Sequence, residues 1–194
     1  MTSKAKMFDG YANAYDQWFM KNENVFASEL KLLHRTLEPL EKKTILSIGC
    51  GSGLFESALK REYGIHVQYG VEPSTDMAKI ARKRGMTVFI GDAETSELAE
   101  NSYDVIYLNG CSSYIKNLSA AYQNCHRALK KGGHLILLDV PVESAYGILY
   151  KFVLGHMRKN YLNKSHQLSL IQSNLSALPF SIHHLRKKIS CVRS

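Results

Sequence analysis

Three alternating glycines, Gly49, Gly51 and Gly53, follow the apolar run Thr44–Ile48 and precede an amphipathic stretch from Leu54. That order reads as strand, tight turn and helix start. Glycine suits such a turn because it takes positive φ without a Cβ clash and lets a ligand lie against bare backbone. Glu72 ends the next apolar run, His66–Val71. Its offset from the turn is about the twenty residues at which an α/β nucleotide-binding unit sets a carboxylate on ribose hydroxyls. The Gly-x-Gly-x-Gly spacing is not the G-x-G-x-x-G of dinucleotide turns, whose third glycine serves helix packing one residue later. Turn and carboxylate together imply a nucleotide-like ligand.

The elements that must hold these residues follow from hydrophobic periodicity. Phe8–Phe19 puts Tyr11, Tyr15, Trp18 and Phe19 on one helical face, and Phe26, Leu30, Leu33 and Leu37 make a second amphipathic helix closed before Pro39. Leu54–Glu62 is the helix behind the glycine turn, with Gly64 as its C′ residue. Ser74 caps the next helix, whose Met77, Ile80 and Ala81 face inward until Gly85. Thr87–Ile90 is a short strand. Tyr103–Leu108 is continuously apolar apart from Asp104, as a strand buried on both faces should be. Leu118, Ala121, Tyr122, Cys125 and Leu129 stripe a helix, and a Lys131-Gly132-Gly133 turn leads into a fifth strand, His134–Leu138. Strands alternating with helices make a doubly wound parallel sheet the economical α/β fold. Beyond Pro141, Tyr146, Leu149, Tyr150 and Val153 form one helical face, and Leu168, Ile171, Leu175 and Leu178 another, broken at Pro179.

On ILSIGCGSG (Ile45–Gly53), GVEPS (Gly70–Ser74), GDAE (Gly91–Glu94), YDVIYLNG (Tyr103–Gly110) and LKKGGHLILLD (Leu129–Asp139), in that order, the chain resembles the class I S-adenosylmethionine-dependent methyltransferases, in particular the small-molecule group called type 11. The resemblance implies one Rossmann-like domain: a helical lid over 1–40, a cofactor-binding core over 41–140, and substrate-side helices with a sheet edge over 141–194. It implies S-adenosyl-L-methionine as cofactor and S-adenosyl-L-homocysteine as product. The implied contacts are Tyr11 and Tyr15 from the lid, and Gly49, Cys50, Gly51 and Gly53 from the loop. The helix start after that loop offers free amides and a positive dipole end to the methionine carboxylate. Glu72 meets the ribose, with Pro73 and Met77 beside it; Asp92 and Ala93 meet adenine; Asn109 holds the methionine part and lines the substrate entrance. For three of these a structural alternative stands: Met77 as core, Asp92 as a turn cap, and the aromatic stripe as a core-facing helix. One departure is Ser47, where the family carries an acid and reads LDIGCG, so the contact to the cofactor's ammonium is not carried over. The family's last two strands fit into Phe180–Ser194 only as a very short hairpin about Arg186-Lys187-Lys188, so a shortened or incomplete sheet edge is expected, with His183 and His184 as surface or edge residues.

A chain of 194 residues, 45% hydrophobic, can bury one sizeable core. Cys50, Cys111, Cys125 and Cys191 form no C-x-x-C pair and have no histidine at zinc-ligand spacing. That usage predicts no metal, no disulfide framework and a cytoplasmic setting. The N-terminus lacks the apolar core of a signal peptide, and no run reaches the roughly eighteen apolar residues of a membrane span. The net charge of +8 lies in the second half, with eight basic and no acidic residues from Ser144 onward. This run reads either as a surface for an anionic partner or as a solvated face and lysine-protected sheet edge.

Methyl transfer from a sulfonium needs no acid for its leaving group, so holding nucleophile, methyl and sulfur in line in a dry cleft does most of the work. A base is required only where the nucleophile must lose a proton, and a histidine is the first choice, with His156 the candidate; Tyr15, which the resemblance sets near the sulfonium, is the other catalytic candidate. After the fourth strand the chain reads NGCSSY, without the [DN]-P-P-[FY] of exocyclic-amine methylation or a Pro-Cys nucleophile for cytosine, and no P-loop is present. DNA chemistry by base flipping is therefore disfavoured. A small-molecule acceptor is the first reading. An RNA or protein methyltransferase using the basic C-terminal half, an idle cofactor-binding domain, and an NAD-dependent reductase on a related fold are the alternatives. Neither the acceptor atom nor the oligomeric state is written in the sequence.

Overall fold

A computed structural model of the chain describes residues 8–40, 43–139, 182–185 and 189–193, the last two stretches by backbone alone. Its centre is a seven-stranded sheet in the order β3-β2-β1-β4-β5-β7-β6. The strands are β1 (Ile45–Ile48), β2 (Tyr69–Glu72), β3 (Thr87–Ile90), β4 (Tyr103–Asn109), β5 (Leu129–Leu138), β6 (Ile182–Leu185) and β7 (Ile189–Arg193). Strands β1 to β5 run parallel, while β7 pairs antiparallel with both β5 and β6. This is the doubly wound arrangement predicted from the alternation of periods. The two C-terminal strands, of 4 and 5 residues, pair antiparallel with each other and complete the sheet. The edge is short but whole.

Helices α1 (Ala12–Lys21), α2 (Glu23–Leu37), α3 (Leu54–Tyr63), α4 (Thr75–Lys83) and α5 (Leu118–Ala128) cover the two faces. Side chains of β1 alternate between them. Ile45 joins Leu33, Leu37, Phe55, Leu59 and Tyr107 in one core cluster, whereas Leu46 and Ile48 join Ile106, Leu108, Leu118, Tyr122 and Cys125 in the other. Leu33 and Leu37 are fully buried. Each burial of that kind contributes about 1.5–3 kcal/mol, and Leu33→Ala would cost about 2–5 kcal/mol. The expected stripe Phe26, Leu30, Leu33 and Leu37 therefore holds α2 to the sheet.

Caps set the ends where the sequence placed them. The Ser74 hydroxyl accepts from the Met77 amide at 3.3 Å, and Gly64 ends α3 in the left-handed conformation at φ +71°.

Four boundaries differ from the sequence reading. The first helix starts at Ala12, not Phe8, and leaves Tyr11 at its N-cap. Strand β2 starts at Tyr69, not His66. The Lys131-Gly132-Gly133 stretch is strand rather than turn: β5 begins at Leu129, and a bulge absorbs the extra residues, Tyr103 facing Leu129 while Val105 already faces His134. Finally, the first helix, expected to end at Phe19, runs to Lys21, and the second starts at Glu23, so Asn22 alone separates α1 from α2. Its amide donates to Trp18 and Phe19 carbonyls and its carbonyl accepts from Val25 and Phe26, so the corner is hydrogen-bonded rather than loose.

Candidate cofactor site

The carboxyl ends of β1, β2 and β4 meet at the glycine turn, the edge where ligands gather in open α/β sheets. Gly49 and Cys50 donate their amides to the Val71 carbonyl at 2.8 and 3.2 Å, tying the loop after β1 to the end of β2. Gly51 (φ +56°) and Gly53 (φ +70°) both need the left-handed region, but for different surroundings. A Cβ on Gly51 would meet nothing within 4 Å and would fill open space over the loop. A Cβ on Gly53 would strike the Met86 sulfur at 2.8 Å and Ala81 Cβ at 3.1 Å. Gly51 borders the cleft, and Gly53 lets α4 pack against the start of α3.

Glu72 is 5% exposed. Its Oε2 accepts from the Gly51 amide at 2.8 Å and its Oε1 from the Ser74 amide at 2.9 Å. One carboxylate thus braces both the glycine loop and the start of α4. Burial raises its pKa above the ordinary 4.5, with the Ser74 and Gly51 amides pulling the other way.

The N-terminal segment lies over this loop and is fastened to it by charge. Asp16 accepts from the Ser52 hydroxyl at 2.5 Å and from Arg84 Nη2 at 2.7 Å, while Arg84 Nη1 donates to the Ser52 carbonyl at 2.8 Å. The Ser74 hydroxyl donates to Asp9 at 2.6 Å, and the Gly10 amide donates to Asp76 at 2.8 Å. Beneath runs a wall of rings in edge-to-face contact: Tyr114 to Phe8 at 5.5 Å, Phe8 to Tyr15 at 6.1 Å, and Tyr15 to Phe19 at 5.1 Å between centroids. The expected stripe divides here. Tyr15 and Phe19 turn inward, but Tyr11 is 66% and Trp18 52% exposed. Burial first, and then the charges of Glu29, Glu56 and Asp16, push the Tyr15 phenol far up. The shift favours the protonated phenol.

The other expected site residues fall into distinct settings. Pro73 and Asn109 are half-buried at the ends of β2 and β4. Cys50 is buried, and a Cβ on Gly70 would lie 2.5 Å from its sulfur, so its side chain packs between strands; burial raises its thiol well above 9.0. Met77 is 2% exposed, outside both core clusters. Asp92 Oδ1 accepts from the amide and hydroxyl of Thr95, both at 2.7 Å, which is the turn-capping alternative. Ala93 is buried, and its carbonyl accepts from Asn124 at 3.1 Å. Asp104 sits at the far end of β4, paired with Lys130 at 2.9 Å, away from the cleft. Among the described residues no group of three or more metal-ligating side chains occurs. His156 and the basic run from Ser144, but for residues of the C-terminal strands, lie outside the described residues.

One acid that the sequence did not mark is Glu56, on α3. It is 5% exposed, and its Oε1 accepts from the Ser47 hydroxyl at 2.8 Å and from the Tyr107 hydroxyl at 2.6 Å. The available signal was an acid on the apolar face of a helix whose Phe55, Ala58 and Leu59 are all buried. Burial raises its pKa, against the Tyr107 and Ser47 bonds.

Residues 46–137 match the family described as "Methyltransferase domain". The fold superposes on a Thermotoga maritima SAM-dependent methyltransferase, described as a possible histamine N-methyltransferase, with a TM-score of 0.72, 26% identity and 96% of each chain covered. An uncharacterized protein of Methanocaldococcus jannaschii is 32% identical over 145 residues, 75% of this chain and 66% of that one. Phosphoethanolamine N-methyltransferase 1 of Triticum aestivum is 31% identical over 101 residues, 49% of this chain and 20% of its own length. This chain thus spans less than two thirds of those two relatives. With the sheet order, the glycine loop and the acid after β2, these likenesses make the chain a member of the S-adenosylmethionine-dependent class I methyltransferases.

Proposed function

We propose that the protein moves a methyl group from S-adenosylmethionine to a small-molecule acceptor in the cleft between the glycine loop and the segment Phe8–Phe19. The observation that carries this reading is the open space beside Gly51, whose amide is held by Glu72 and whose neighbour Ser52 is tied to Asp16 on the helix that carries Tyr15. A nucleoside fits between a carboxylate and bare backbone, and a sulfonium fits against aromatic faces that attract a cation without offering a nucleophile. When bound, the cofactor supplies an electrophilic methyl on sulfur. The chain's part is positional. Gly49 to Gly53 and the start of α3 take the methionine end, Glu72 with Pro73 takes the ribose, Asp92 through its second oxygen and Ala93 through its amide take adenine, and Asn109 lines the acceptor side.

In this reading residues 1–40 are the lid, 41–140 the cofactor core and 141–194 the acceptor wall. Tyr15 donates or shields but takes no proton, so a base, where the acceptor needs one, comes from elsewhere; His156 is the candidate. The test is thermal shift of the purified chain with S-adenosylhomocysteine, NADH and tRNA, followed by methyl transfer to a panel of small amines, alcohols and acids. A ligand of the native state raises stability by RT ln(1 + [L]/Kd). Stabilisation by S-adenosylhomocysteine and not by NADH or tRNA is expected. Stabilisation by tRNA with methyl incorporation into it would replace the small acceptor by RNA.

A further inference from the structure

We infer that Glu56 is the anion that receives the amino group of the cofactor's amino-acid end, a position that β1 leaves without charge because it carries Ser47. The inference rests on the cofactor reading above and assigns one group within it.

Glu56 is the third residue of α3, the helix whose first amides border the glycine loop. A carboxylate held at that helix start brings with it an amino group on the same carbon; of the acids around the loop, Asp16 is taken up by Ser52 and Arg84 and Glu72 by the Gly51 and Ser74 amides, whereas Glu56 lies in the first turn of the helix itself. Its placement is built rather than incidental. Ser47 and Tyr107 are directly opposed on β1 and β4, so the sheet register itself aims both hydroxyls at one oxygen, Oε1. The charge of Glu56 acts on Tyr15 in the lid, on Cys50 in the loop and on Glu72 beyond it, which puts it at the junction of all three.

A carboxylate in such a site needs a cation. Removing an ion from water is costly unless it is paired, and two neutral hydroxyls on one oxygen, Oε1, do not neutralise it. Among the described residues no basic side chain forms an ion pair with Glu56: the three ion pairs are Arg61–Glu62, Arg84–Asp16 and Lys130–Asp104. Arg84 acts on it only at a distance, with both arms of that guanidinium engaged with Asp16 and Ser52. The arriving ammonium supplies the missing countercharge.

A scaffolding role would also place an acid between two hydroxyls, so the test must separate them. Calorimetry with the whole chain compares S-adenosylhomocysteine with 5′-methylthioadenosine, which shares the nucleoside but lacks the amino-acid end. Glu56→Gln keeps the shape and an acceptor for Ser47 and Tyr107. We expect it to weaken S-adenosylhomocysteine by at least about tenfold, the effect of losing one charged hydrogen bond, and to leave 5′-methylthioadenosine unchanged. The double variant S47D/E56Q, which returns a carboxylate from β1, should recover much of the loss. It also serves as the folded comparison if E56Q does not melt cooperatively, its ratio of the two affinities then standing close to wild type and that of S47N/E56Q well below it. Equal losses for both ligands, or none, overturn the assignment of Glu56 alone. A wild-type chain that binds neither ligand overturns the cofactor reading with it.

Discussion

The carboxylate of Asp16 accepts a hydrogen bond from the Ser52 hydroxyl across 36 residues of chain, joining the first helix to the tip of the glycine loop. Arg84 closes the same joint from the end of α4, so the first helix, the glycine loop and α4 share one charged knot. Charge-assisted bonds of this kind contribute about 1.5–3 kcal/mol where buried, and less at the partial exposure of this pair. Asp16→Ala should therefore leave a folded protein in which amide exchange across Phe8–Phe19 speeds up. Saturating S-adenosylhomocysteine should slow that exchange in the wild type. Equal exchange in both proteins, with and without ligand, would make the segment ordinary core.

Gly51 and Gly53 should separate binding from stability. Gly51→Val projects into open space from a left-handed backbone, so it should abolish S-adenosylhomocysteine binding with a modest loss of stability, about 1–2 kcal/mol for the backbone conformation. Gly53→Val drives a side chain into Ala81 and Met86 and should lower the melting temperature more, since overpacking adds about 1–3 kcal/mol. Melting curves and calorimetry on the two variants check the contrast.

Glu72→Ala should weaken S-adenosylhomocysteine by at least about tenfold through lost ribose bonds. It should also loosen the loop, because Gly51 and Ser74 lose the oxygens their amides now use. A loss below about threefold, the reach of a surface charge, would confine Glu72 to bracing.

The pH dependence of the ligand-free protein follows from two raised carboxyls. Glu56 and Glu72 both lie above their ordinary 4.5 because burial disfavours the charged form. The folded state therefore holds their protons more tightly than the unfolded state does. Their contribution to stability is full below about 4.5 and is lost as pH rises through the raised folded values. Asp104 works in the opposite sense: against desolvation, the Lys130 bond and the Thr44 amide bring it below 3.8, so its share is lost only as pH falls through that lower range. Urea melts between pH 4 and 7 should show stability declining with rising pH, and a flatter profile in Glu72→Gln.

Tyr15→Phe should lower turnover without moving the pH profile between about 6 and 9, because the phenol it removes titrates far above that range. A profile that shifts would return Tyr15 to the role of base.

What was legible in the sequence is what local chemistry determines. Alternating glycines after a strand, an acid at the end of the next strand, and Ser74 before a helix each act through neighbours a few residues away, and a doubly wound parallel sheet followed from the alternation of strands and helices. The joint between Asp16, Ser52 and Arg84 was not legible, because its partners are 36 and 68 residues apart and none is unusual in its own surroundings. Trp18 was misread because period alone assigns a face and not what covers it. Glu56 was passed over because an acid on a helix is ordinarily solvated. Asp92 carries both readings in its sequence, and the Thr95 contacts show that one of its oxygens serves the turn.

The position of β7 gives the molecule an order of assembly. Every parallel strand has been synthesised by Leu138, whereas the strand that flanks β5 begins only at Ile189. During synthesis the glycine loop, Glu72 and Glu56 all emerge before the sheet can close on that side. The glycine loop and both buried acids are thus translated while β5 still lacks its neighbour on that side.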